Sequence, residues 1–481
     1  MNALVPSLGV AILLLAACVP AGAGPGPSAS EPTASPSAPE PAPIPSATSS
    51  PTPRPSTPLV AVAAFTSPRD EIRLAELREV LVAEPFAEAV RSLIPHVRVV
   101  TMPEAGVLAA VRASPTAIGL VLPERVDPSV KTVVVDGMDF WSPALDRSTY
   151  PLVVPVDAAP GPVARTWELL AGGGIIYGRG VQERVELYRD PARPFAKVRD
   201  LTRAADLAVA TLEAPLSGDA NRVCERCMTF VGNERYVIGI VDAGFDALSL
   251  AANHSGDAGP QGVLDSVRVL REAGIVPFGG GPDAASARRP AILDVRGVRV
   301  ALLGYSDVPP ESYAATATRP GDAHLFHDDP TYASIRAEVA AARAVADVVV
   351  VLAHWGVEYE DRPRPWVEAA AHAMVEAGAT AVLGDHPHWV QSVETYRGGY
   401  IAYSMGNFVF DQMWSAETRQ GSIHRLFFSG SRLVAVRIVP TLLEDYHQPR
   451  PLLLGEPGYA QTLARIFRHS KFEGPERPAV R

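Results

Sequence analysis

Three histidine-bearing stretches stand at the ends of apolar runs. "LSLAANHSGD" carries Asn253 and His254, "VVVLAHWG" carries His354, and "AVLGDHPHWVQ" carries His386 and His388. A fourth run, "AVATLEAP", ends on Glu213. Imidazole, carboxylate and amide oxygen together suit Zn, Mn or Fe better than Ca or Mg. One histidine in such a place is ordinary and usually hydrogen-bonded at the surface. Three run ends bearing "NH", "HWG" and "HPH" point to one shared metal site. Arg179, in "GRG", adds a guanidinium able to pair bidentately with a carboxylate or phosphate.

Ligands of this kind need rigid supports. From about residue 167, apolar runs such as "DLAVATLE", "FDALSLAANHS", "ADVVVVLAHWG" and "TAVLGDHPH" have strand length and end in polar residues. Runs that are apolar throughout predict strands buried on both faces. Between them, "PQGVLDSVRVLREAG" and "PWVEAAAHAMVEAG" predict helices closing on glycine. Alternation of this kind predicts a layered α/β core with its polar residues gathered at one sheet edge. Residues 59–160 predict a smaller α/β domain without a catalytic constellation, which faintly resembles one lobe of a periplasmic solute-binding protein.

Segment 167–445 resembles the bacterial capsule-synthesis CapA family, also called the poly-γ-glutamate capsule family. The matching stretches are "GRGV", "ATLEAPL", "DALSLAANHSGDAGPQGVLDS", "VVVLAHWGVEYE", "AVLGDHPHWVQSVE" and "YSMGNFVFD". The resemblance implies a four-layer, metallophosphatase-like α/β/β/α sandwich. Two metals about 3.5–4 Å apart would activate a water and clamp a phosphoryl oxygen. It further implies that Glu213 bridges the metals, that Asn253, His354 and His386 complete one site, and that His388 belongs to the other. His254 would protonate a leaving group.

One position departs from that pattern. Where the family has an aspartate ahead of "GR", this chain has Gly174, which offers no ligand. The second site keeps only Glu213 and His388, so the expectation is one tightly held divalent transition metal. Thr211 and Asp385 are smaller departures. Asp385 would orient His386 or His388 from behind, or be solvated.

Composition sets the outer limits. The 481 residues are 47% hydrophobic and 20% charged, enough for more than one globular domain. The formal net charge is -10 and no basic run exists to neutralise a phosphate backbone, which argues against nucleic-acid binding. Residues 1–18 read as a signal peptide. "VAILLLAAC" is too short to span a bilayer, and Leu15-Ala16-Ala17-Cys18 resembles a bacterial lipobox, which would make Cys18 the lipidated residue. No Lys or Arg precedes the apolar run, so an ordinary cleaved signal peptide is the competing reading. Residues 19–58 are rich in Pro, Ser and Ala and read as a disordered tether. The expected location is extracytoplasmic, on the membrane surface through the lipid alone. Cys224 and Cys227, in "CERC", are spaced for a small disulfide. A lone Cys-x-x-Cys also suits a redox motif or half a zinc site. Residues 446–481 read as a C-terminal extension.

Two functions stay open on this reading, beside a purely structural one in which the histidines are buried and satisfied. One is a metal-dependent hydrolase acting on a phosphoester or an envelope polymer. The other is a non-catalytic envelope lipoprotein that binds or anchors an anionic polymer such as poly-γ-glutamate, alongside other proteins of envelope biosynthesis. Fold alone does not decide between them.

Overall fold

A computed structural model of the chain describes residues 55–156, 163–217, 228–308, 310–327 and 329–474. Cys18, the tether up to residue 54, Cys224 and Cys227 lie outside the described residues. The described chain begins inside the stretch read as tether, where Ser56–Pro58 pairs antiparallel with Val153–Pro155.

The run "VAVAA" forms the fully buried strand Val60–Ala64 of a five-stranded sheet. Strand Glu79–Ala83 of that sheet is followed by helix Ala87–Leu93, strand Arg98–Met102, helix Glu104–Arg112 and strand Ile118–Val121, with Glu79–Ala83 parallel to both other strands. Two successive crossover helices are what parallel pairing requires. The core of this sheet also takes in Phe427, Val434 and Ala435 from a long hairpin far along the chain. The described residues all fall within one compact unit.

Two larger sheets carry the rest. One has eight strands, and Thr166–Ile175, Leu207–Leu212, Ala247–Ser249 and Val276–Phe278 run parallel within it. The other has seven, with Val298–Ser306, Val348–His354, Ala381–Asp385 and Gly399–Ala402 parallel. Their inner faces share a core of Trp167, Leu169, Val209 and Ala247 with Val300, Leu302, Val350 and Leu383. The outer face of the first sheet packs on Val181, Val185, Ile240 and Leu270. The outer face of the second packs on Val339, Ala342, Ala370 and Met374. Strands "LAVATL" and "VVVVLAH" are buried along their whole length because both of their faces are covered. The predicted helices form as Gly259–Glu272 and Pro365–Glu376. Each is followed by a glycine at positive φ, +81° at Gly274 and +115° at Gly378, a conformation that favours a residue without Cβ. Among the described residues no helix is long and apolar enough to cross a membrane.

Candidate metal centre

Parallel strands deliver the polar residues to one edge. Glu213 directly follows strand Leu207–Leu212, and its N–H donates to the Ile175 carbonyl at 3.0 Å. Asn253 and His254 lie in the loop after Ala247–Ser249. His354 is the last residue of its strand. His386 and His388 follow Ala381–Asp385, and both adopt positive φ, +92° and +59°. Non-glycine residues held there cost on the order of 1–3 kcal/mol each, a strain that clusters at functional sites.

Several of the predicted residues lie near one another without sharing a single centre. His354 Nε2 stands 2.9 Å from Asn253 Oδ1. The His354 and His386 rings are 4.8 Å apart, and the His386 and His388 rings 5.9 Å. A Cβ placed on Gly174 would stand 2.4 Å from Glu213 Oε2, so the Glu213 carboxylate lies against the glycine. His388 Nδ1 is 2.8 Å from Asn407 Oδ1, with Glu358 Oε1 3.6 Å from its Nε2. Its hydrogen bond to His388 holds Glu358 below the usual carboxylate range. Burial, followed by the neighbouring His354, His388 and His254, pushes His386 well below an ordinary histidine. Burial also opposes charging of His354, but the Asp385 carboxylate and then Glu213 outweigh it and raise this ring.

His254 and Arg179 form a flank to this group. His254 Nδ1 is 2.7 Å from Asp257 Oδ2, and its ring stacks on Phe230 at 3.9 Å. Asp257 also accepts from the Phe230 N–H at 2.6 Å and from Tyr313 Oη at 3.1 Å. The Arg179 guanidinium lies 4.3 Å from the Phe230 centroid, and its fork is turned on the chain's own Asp411, with Nε 3.1 Å from Oδ2.

Among the described residues eighteen buried side-chain polar atoms have no hydrogen-bond partner, and three of them lie in this group: Glu213 Oε1, Asp385 Oδ2 and His386 Nδ1. These three are of the types that ligate transition metals. The donor chemistry therefore fits a divalent cation. The side chains are not gathered around one point, however. Among the described residues no three His, Cys, Asp or Glu side chains are close enough together to hold a metal ion.

Asp385 departs from its expected place. It is 2% exposed rather than solvated, and its Oδ1 meets His354 Nδ1 at 2.8 Å rather than His386 or His388. Sequence reasoning also passed over Asp257, Asn407, Glu358 and Asp411. Of these only Asp257 had a local signal, three residues after His254.

The chain is 32% identical to the capsule biosynthesis protein CapA of Bacillus anthracis over 283 residues, covering 58% of this chain and 68% of that protein. It is 31% identical to the PGA biosynthesis protein CapA of Bacillus subtilis over 281 residues, covering 58% and 71%. A likeness to the sulfate thiohydrolase SoxB structure from Thermus thermophilus, with TM-score 0.34 and 14% identity over 64% of this chain and 60% of that one, is too distant to build on. The model of the bacterial capsule synthesis protein PGA_cap matches residues 168–412, which hold every metal-suited residue named above. By that match and by the two Bacillus relatives, the chain belongs to the bacterial capsule synthesis protein PGA_cap family.

Proposed function

We propose that this chain is a cell-envelope protein of capsule or poly-γ-glutamate biosynthesis that holds a divalent transition metal and through it grips an anionic group of an envelope polymer. The observation that carries this reading is the trio of buried, unpartnered donors, Glu213 Oε1, Asp385 Oδ2 and His386 Nδ1. Glu213, Asn253, His354 and His386 would hold the cation, with His388 beside them. The cation would supply the local positive charge that a chain of net charge -10 otherwise lacks for a polyanion. The names of the Bacillus relatives support the biosynthetic context. Two facing sheets with helices on their outer faces support a four-layer sandwich of metallophosphatase type. Lipid on Cys18 would tether the protein outside the cytoplasmic membrane, with residues 19–54 as the spacer.

A second reading, hydrolysis of a phosphoester or polymer bond, is favoured by the His254–Asp257 pair. With Nδ1 fixed by the carboxylate, Nε2 is the nitrogen left to give a proton to a departing group. The test is metal analysis of the purified protein, then retention of poly-γ-glutamate with and without chelator. Absence of bound metal, or retention indifferent to chelation, rejects the binding reading. Metal-dependent hydrolysis of a phosphoester or of the polymer, lost in His254→Ala while metal content is kept, establishes the second.

A further inference from the structure

A groove of about 620 Å³ lies between the loop after His354 and the C-terminal helix Pro457–Phe467. Tyr359, Arg362, Arg364, Trp389, Arg465 and Arg468 line it. It adjoins the candidate site: the Tyr359 ring stacks on His388 with centroids 5.6 Å apart, and Trp389 directly follows His388. Its loop wall is fixed. The amide of the buried Gln391 donates to the Glu360 carbonyl at 2.9 Å and to the Arg362 carbonyl at 3.1 Å. Pro363 and Pro365 further restrict that backbone. Arg465 and Arg468 come from the segment read as a C-terminal extension, beyond residue 412 where the family match ends. Four arginines face three acids, Glu360, Asp361 and Glu417, so the lining is net +1 in a chain of net charge -10. Glu360 takes the Arg364 fork, with Nε 2.6 Å from Oε2, and Glu417 Oε1 accepts from Arg465 Nη2 at 2.9 Å. Asp361 is shared three ways: Arg468 Nη1 stands at 3.4 Å, Arg362 Nε at 3.7 Å and His469 Nε2 at 3.8 Å. The side chains of Arg362 and Arg468 are more than half exposed, and exposed pairs of this kind contribute little. Both guanidiniums are therefore open to an incoming anion. Trp414, 64% exposed, stands 6.4 Å from the Tyr359 ring and extends its apolar surface.

We propose that this groove binds a stretch of a polycarboxylate chain beside His388, with Arg362 and Arg468 gripping its carboxylates. Tyr359 and Trp414 receive the methylene segments between them. Guanidinium pairs bidentately with carboxylate, and the groove's arginines already hold three carboxylates of the chain itself, so a carboxylate fits these forks. A polymer carboxylate entering here replaces Asp361 on an arginine that Asp361 holds only at long range. The positive lining supplies a local attraction that the whole chain's charge does not. In this assignment the C-terminal segment is one wall of the binding surface.

The assignment rests on the polymer-binding reading above, and its test separates the two. Fluorescently labelled oligo-γ-glutamate is titrated with the full chain and followed by anisotropy, once with Mn²⁺ and once with chelator. The groove variant is Arg362→Gln with Arg468→Gln. The control is Arg91→Gln with Arg98→Gln, which removes the same charge from exposed positions of the first α/β region. All four arginines are exposed, and circular dichroism verifies folding. In each condition where the unaltered chain binds, the groove variant should bind about tenfold more weakly, and the control should match the unaltered chain. Equal weakening in the two double variants reduces the effect to net charge and overturns the groove. Unchanged affinity in the groove variant overturns it too, and either result leaves the polymer reading standing. Stronger binding of a poly(ribitol phosphate) probe than of the oligo-γ-glutamate overturns the polycarboxylate as occupant. An unaltered chain that binds no oligo-γ-glutamate in either condition overturns both readings.

Discussion

His354 and Asp385 are register partners at the ends of neighbouring parallel strands, and their side chains meet there, imidazole Nδ1 to carboxylate Oδ1 at 2.8 Å. Both side chains are buried. The second ring nitrogen meets Asn253, so this one histidine ties the two sheet edges together.

That geometry predicts a structural cost separate from any metal. His354→Ala leaves the Asp385 carboxylate buried with neither oxygen paired. Breaking a buried pair by removing one partner costs about 3 kcal/mol or more. Urea unfolding of chelator-treated protein should show a loss of that size. A loss below about 0.5 kcal/mol, the range of ordinary surface substitutions, would mean that the acid is rehydrated without penalty.

Much of this arrangement is legible in the sequence, and the remainder is not for a physical reason. "LAVATL" and "VVVVLAH" announce themselves as doubly buried strands, and Gly274 and Gly378 mark helix ends, because these signals are local. Glu213, Asn253, His354, His386 and His388 stand out because their types are unusual at the ends of apolar runs. The partners of the site residues carry no such mark. Asp411 meets Arg179 from 232 residues away, and Asn407 reaches His388 inside an apolar stretch. Asp385 was visible as an acid but not as the neighbour of His354, since that depends on the pairing register of two strands 31 residues apart. The joining of the first sheet to Phe427, Val434 and Ala435 is likewise long-range packing that no local pattern encodes.

Gly174 supplies a prediction in the opposite direction from simple repair of a lost ligand. A Cβ at this position falls 2.4 Å from Glu213 Oε2, closer than van der Waals contact allows, so the glutamate end must turn aside. Gly174→Ala should cost little, because the atom it meets is the free end of a flexible side chain that can turn aside. Gly174→Asp adds a third carboxylate beside Glu213 and Asp385, so its melting temperature should fall further in chelator. Mn²⁺ should then raise the melting temperature of the aspartate variant more than that of the unaltered chain. Equal stability of the aspartate variant and the unaltered chain in chelator would contradict the crowding.

Export rests on residues outside the described structure and is open to a direct test. Cys18→Ala should accumulate as unprocessed precursor and take up no lipid label. Its normal maturation would instead indicate a plain cleaved signal peptide. Alkylation of the exported protein under denaturing, non-reducing conditions should find no free thiol at Cys224 or Cys227. Two free thiols would rule out the disulfide.

The last prediction concerns pH and a histidine outside the ligand group. His424 is 1% exposed, with Nδ1 2.9 Å from Tyr400 Oη and Nε2 3.0 Å from Ser422 Oγ. Burial lowers its pKa to about 3, against an ordinary 6.5. The folded protein therefore keeps this ring neutral where the unfolded chain protonates it. The resulting stability is fully present above pH 6.5 and is lost as pH falls from 6.5 toward 3. By pH 4 the loss amounts to about 3 kcal/mol relative to pH 7.5. Other groups titrate over the same range, so the informative quantity is a difference. His424→Gln retains polar atoms for Tyr400 and Ser422 but does not titrate, and chemical denaturation of both proteins at several pH values isolates the histidine. The stability advantage of the unaltered chain over the variant should shrink by about 3 kcal/mol between pH 7.5 and pH 4. A gap that stays constant with pH would show that the buried ring is protonated in the folded state as readily as in the unfolded one.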